Sequence, residues 1–216
     1  MGNRAVVLPK GSTVGVYLHW NGGPDSVEAF LEYCKLRRFR SFGGENRDGY
    51  GMARFIQIVA NFFGGSLSIG VEENCKETEE WAKGLDNGIY VVDGWDIVKR
   101  IGATDYSEGY DRKEFLLSID KSQPTEEQLG EEFFDSEPTP IGLIKVGDEV
   151  YIDRLEEIKE KHKVVGIAPA NTIINGFDVS LTPYVDLYDR NGDYSWNINN
   201  YVTRYTENGM IRRVKK

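Results

Sequence analysis

Two prolines two residues apart, Pro138 and Pro140 within Asp135-Ser136-Glu137-Pro138-Thr139-Pro140, constrain this chain most. Each removes a backbone donor and turns the preceding residue away from helical geometry, so regular structure is expected to break there. The text also changes character across the break. Before it, strand and helix patterns mix; after it, short strand patterns dominate. The expected organisation is an α+β domain over 1–137 and a small β domain over 141–216. A chain of 216 residues has room for two such domains. With 12% aromatic residues it is too rich in large apolar side chains for a disordered chain. No stretch approaches the ~20 apolar residues a membrane span requires, and Met1–Val6 lacks the apolar core of a signal peptide. Cys34 and Cys75 are too few for a disulfide scaffold or a four-cysteine zinc site. His19 and His162 leave little for a catalytic triad. A cytoplasmic protein with no cofactor, no metal and no membrane association is the expectation.

Charge is distributed unevenly. Residues 1–71 carry a net charge of +3, residues 72–138 carry −12, and residues 139–216 are neutral, within a total of −9. An acidic protein does not draw the phosphate backbone of nucleic acid, so direct nucleic-acid binding by the whole chain is not expected. A basic protein surface is the partner such a charge favours.

Val14–Trp20 alternates with period two and reads as a strand, ended by Asn21-Gly22-Gly23-Pro24. A helix follows, capped by Asp25 or Ser26, with Val27, Phe30, Leu31 and Cys34 on one stripe. Its end is basic (Lys35, Arg37, Arg38, Arg40), which suits the helix dipole and reads as a solvated terminus. A second helix is expected over 50–63 and strands over 66–71, 89–93 and 95–98. Further helices are expected over 113–120 and 125–134, the latter opened by a Thr125–Gln128 capping box. Beyond Pro140, strands are expected at 141–146, 149–153, 164–167, 177–181, 185–189 and 194–198. A short helix should cover 154–163, and Asn191-Gly192 should form a hairpin turn.

Four features bear on function. The glutamates Glu72, Glu73, Glu77, Glu79 and Glu80, with Glu126, Glu127, Glu131 and Glu132, supply an acidic surface for a partner rich in Lys and Arg. Asn21, Gly22, Gly23, Asp25 and Ser26 lie between a strand and a helix, where backbone N–H groups can cradle an anion. Their spelling resembles the pyrophosphatase loop of adenylating enzymes, with Asn21 in place of its first serine. A tight turn followed by a helix cap accounts for the same residues. The run Lys35–Phe42 interleaves cations with Phe39 and Phe42, as in single-strand binders, and is equally explained as a helix end. Asp189–Asp193 suggests a calcium loop, but position twelve would be Asn200 rather than the required glutamate, so calcium is rejected.

The segments Gly2-Asn3-Arg4-Ala5-Val6, Tyr17–Gly23, Tyr50–Phe55 and Asn61–Gly65 resemble an uncharacterised family carried by phages and mobile elements of Firmicutes. That resemblance spans roughly the first 130 residues and implies an accessory role inside a host cell. From Ala168 onward, Val185–Asp189, the Asn191-Gly192 turn and Asn199–Val202 are similar to SH3-like barrels, which implies a small SH3-like β-barrel. The expectation is a protein that binds and inhibits a host defence protein, with a CRISPR nuclease as the target class. A nucleotide-binding enzyme using Asn21–Ser26 and a phage structural or assembly component are the alternatives.

Overall fold

The computed structural model describes residues 2–43, 49–65, 67–102, 109–151, 161–174, 176–185 and 210–215. It is a mixed α+β chain that divides into two compact units, Met1–Gln128 and Leu129–Lys216.

The first unit is built on a five-stranded sheet: β1 (Ala5–Pro9), β2 (Gly15–Leu18), β3 (Ile69–Glu72), β4 (Ile89–Asp93) and β5 (Asp96–Ile101), in the order β3-β2-β1-β4-β5. β1 runs parallel to β4; every other neighbour is antiparallel. All five residues of β1 are buried, as expected of a central strand covered on both faces. Val6, Leu8, Ile89, Val91 and Ile101 pack with Cys75 and Ala82 on one face. By alternation, Ala5, Val7 and Tyr90 bury on the other. There the Tyr90 hydroxyl donates to the Gly22 carbonyl at 2.9 Å, at the entry to α1 (Pro24–Leu36). Burial pushes the Tyr90 phenol up to about 12.

The longer helices are α1, α2 (Gly49–Phe63) and α4 (Arg112–Lys121); α3 (Glu79–Ala82) is a single turn. Phe30, Phe62 and Phe115, one from each long helix, meet edge to face at 5.2–5.8 Å between ring centroids. Such contacts add about 0.5–1.5 kcal/mol per pair beyond the area they bury. The buried Tyr33 hydroxyl donates to the buried Asp120 carboxylate at 2.7 Å, which ties α1 to α4. Cys34 lies on the buried stripe of α1, and burial pushes its thiol far up.

At the start of β1, Arg4 clasps Asp86 through Nε (2.9 Å) and Nη2 (3.2 Å), and the Arg4 N–H adds a third bond at 3.0 Å. These hydrogen bonds lower the Asp86 carboxyl to about 2. A depressed carboxyl contributes stability above its unfolded value, about 3.9, and loses it as the pH falls through the folded value. The Asp86 resonance followed by NMR should therefore titrate with a midpoint near 2. Arg4→Gln should move that midpoint toward the unfolded value; a wild-type midpoint near 4 would contradict the clasp.

The second unit opens on α5 (Glu131–Asp135) and β6 (Glu137–Pro140), followed by β7 (Glu149–Tyr151), β8 (Lys161–Ile167), β9 (Ile173–Ile174), β10 (Phe177–Asp178), β11 (Pro183–Val185) and β12 (Met210–Arg213). β11, β8, β7, β12 and β6 form an antiparallel sheet over Ile144, Val150, Val164, Val185 and Ile211; β9 and β10 pair separately. The prolines expected to mark a linker sit instead in β6, paired with β12, and the division between units comes earlier, at Gln128/Leu129.

Where an SH3-like barrel is expected, the sheet is open among the described residues. Its outer strands β6 and β11 carry Pro138, Pro140 and Pro183, and residues without an N–H favour edge positions. Lys161-His162-Lys163 belongs to β8 rather than to the expected helix, and Ile141–Leu143 is a 3₁₀ turn rather than a strand. The Asn191-Gly192 turn, the 186–189 and 194–198 stretches, Asn199–Val202 and the rejected calcium loop lie outside the described residues. Among the described residues, no helix is long and apolar enough to cross a membrane.

Candidate functional site

The acidic stretch after β3 is held at two points. Cys75 is buried in the sheet cluster, and its N–H donates to the Thr13 carbonyl at 2.9 Å. Burial pushes its thiol up. Three residues on, the Thr78 hydroxyl caps α3 by accepting from Trp81 N–H at 3.3 Å, which seats Ala82 on the same cluster. Between and beside these anchors, Glu73, Glu79 and Glu80 are exposed, and Glu72 and Glu77 are half-buried. Glu80 pairs with Lys83, and Glu77 with Lys99 at 3.4 Å. Exposed pairs of this kind contribute little to stability. Among the described residues, Glu72, Glu73 and Glu79 have no cation within ion-pair distance.

The second acidic group does not form the continuous helix expected over 125–134. Thr125–Glu127 is a 3₁₀ turn, Gln128 is extended, and Gly130 at φ +86° starts α5 afresh. Glu126 and Glu127 thus belong to the first unit, Glu131 and Glu132 to the second. Glu127 accepts from Gln57 at 3.4 Å, and Glu132 pairs with Lys161 at 2.8 Å.

Asn21–Ser26 forms a turn in which the Gly22 and Ser26 N–H groups are engaged within the chain. Asn21 takes φ +52°, the Gly22 N–H donates to Asn3 O at 2.8 Å, and Gly23 rather than Asp25 is the N-cap, with Pro24 starting the helix. Asp25 Oδ1 accepts the Ser26 N–H at 2.9 Å, so the chain's own carboxylate sits at this helix terminus. Its Oδ2 accepts the Gly109 N–H at 2.9 Å, and Arg112 donates to the Asp25 carbonyl at 2.9 Å. His19 Nδ1 lies 3.0 Å from the Tyr17 hydroxyl, and its ring meets the exposed Trp20 edge-on at 4.9 Å.

The basic run after α1 is not uniformly solvated. Arg37 is 8% exposed, and its guanidinium lies over the Phe39 ring, where Arg54 of α2 converges. The cation–aromatic interleaving of 35–42 was visible in the sequence; the arrival of Arg54 was not.

No family model matches the chain, and no curated protein or solved structure matches it significantly.

Proposed function

We propose that this protein is a phage or mobile-element accessory protein that binds and inhibits a host defence protein in the host cytoplasm. Its target is a protein with a basic nucleic-acid groove, a CRISPR nuclease being the class that fits, and the acidic stretch Glu72–Glu80 is the contact. The observation that carries this reading is the fixed display of Glu72, Glu73 and Glu79, which have no ion-pair partner among the described residues. Anchoring by Cys75 and Thr78 reduces the ordering cost on association. Complementary charge raises the encounter rate and selects against acidic partners.

The reading is tested by DNA cleavage with purified, guide-loaded CRISPR nucleases from Firmicutes hosts. Added protein is expected to slow at least one of them, with the block relieved by excess guide-matched DNA. Unchanged cleavage across the panel at ten-fold molar excess of the protein would contradict the proposal. A nucleotide site at Asn21–Ser26 has less support, because the Gly22 and Ser26 N–H groups are already taken.

A further inference from the structure

The geometry points to a second site, of opposite charge, where α1 ends: a short single-stranded nucleic acid held by Arg37 and Arg54 through its phosphates and by the Tyr50 ring through a base. It is independent of the acidic contact, and either can fail alone.

Four observations meet at this turn. First, α1 closes on its own backbone. The Phe39 N–H donates to Cys34 O at 3.2 Å and the Arg38 N–H to Lys35 O at 3.0 Å, so those last carbonyls do not need a side-chain cation. Second, Arg38 holds φ +55° at the position where glycine is the usual occupant. A left-handed arginine is strained, and such strain clusters at binding sites.

Third, Arg37 is buried, yet its Nη1 has no hydrogen-bond partner, and no carboxylate pairs with the guanidinium among the described residues. A buried cation is costly unless an anion meets it. Fourth, its guanidinium carbon lies 5.4 Å from the Phe39 ring centroid and that of Arg54 lies 5.7 Å from the same centroid. Arg54 donates to Gln57 Oε1 at 3.0 Å and likewise lacks a carboxylate among the described residues.

Phe39 thus orients two guanidiniums whose fork geometry matches phosphate oxygens. Beside them, Arg40 lies over one face of the Tyr50 ring at 4.8 Å, and Tyr50 as a residue is 61% exposed, so that a base can stack on its other face. The turn is rigid. Trp95 Nε1 donates to the Phe39 carbonyl at 3.0 Å, and Phe42 stacks on both Phe55 and Trp95. Gly51 brings α2 so close that a Cβ there would lie 2.2 Å from the Ser41 carbonyl. The net charge of −9 opposes a long duplex track, so a short single strand is the form that fits.

The test is fluorescence anisotropy of a labelled ten-nucleotide oligo-dT with the full chain at low salt. Inorganic polyphosphate and a ten-base-pair duplex serve as competitors. Because Arg37→Gln bears on a buried side chain, the variants are Arg54→Gln and Tyr50→Ala, with Lys83→Gln as control. Each of the first two is expected to weaken binding about ten-fold while the control matches wild type. Contact with about two phosphates predicts a log–log salt slope of about −1.4.

Absence of wild-type binding at millimolar protein would overturn the proposal. So would an equal loss in Lys83→Gln, which means diffuse charge. An unchanged Tyr50→Ala with polyphosphate competing as well as oligo-dT would overturn it in favour of a phosphate site without base contact. Stronger competition by the duplex would overturn the single-strand form.

Discussion

Gly22→Ala is expected to destabilise the first unit by roughly 3 kcal/mol, the upper end of the range for overpacked interiors. Gly22 is buried, its N–H donates to Asn3 O at 2.8 Å, and its carbonyl accepts from Tyr90 at 2.9 Å. A Cβ would lie 2.4 Å from Asn3 O and 2.8 Å from Ala5 N. Both obstacles are backbone leading into or within β1, and β1 is the centre of the sheet, so relief would require moving the strand that everything else pairs with. Gly49→Ala is the matched control, since a Cβ there meets nothing within 4 Å. It lies in α2, where alanine is the better helix former, so it should leave stability unchanged or slightly higher. Urea unfolding of the two variants beside wild type measures the difference. Equal midpoints for wild type and Gly22→Ala would mean that packing does not require this glycine and would return the loop to consideration as an anion cradle.

The same residues show what the sequence made legible. The strand before Asn21, the helix after Gly23 and the glycine turn between them were readable because each has a local cause: alternation, an apolar stripe, a chain reversal. What closes the turn, the Tyr90 hydroxyl and the Asn3 carbonyl, comes from far along the chain or from the opposite side of β2, and no local pattern reports it. β1 has no such local signal, because Ala5–Pro9 is buried on both faces and shows no alternation. The helix expected over 125–134 is not continuous: Thr125–Gln128 has capping-box spelling, but Gln128 is extended and Gly130 at φ +86° starts a new helix. Pro138 and Pro140 carry the signal of a break, although an edge strand accommodates them equally well.

Among the site residues, the acidic character of 72–80 was plain from composition. Its anchoring was not, because Cys75 looks like one more loop residue until its N–H is seen on Thr13. The basic run misled in the opposite sense. Four cations at a helix end read as solvated, yet Phe39 turns back so that Arg37 is buried beneath the reach of Arg54.

The central claim is that fixed, uncompensated glutamates steer this protein onto a basic partner. Stopped-flow association with a guide-loaded CRISPR nuclease, the proposed target class, for wild type and for the combined variant Glu72→Gln, Glu73→Gln, Glu79→Gln and Glu80→Gln, tests it most directly. The substitutions keep side-chain size and remove four charges; the one ion pair lost, Glu80 with Lys83, is exposed and contributes little to the fold. At low salt the variant should associate about ten-fold more slowly, with dissociation changed far less. Raising the ionic strength should bring the two rates together, since screening acts over about 8 Å at physiological salt. Equal association rates at low salt, with the variant folded, would contradict the account.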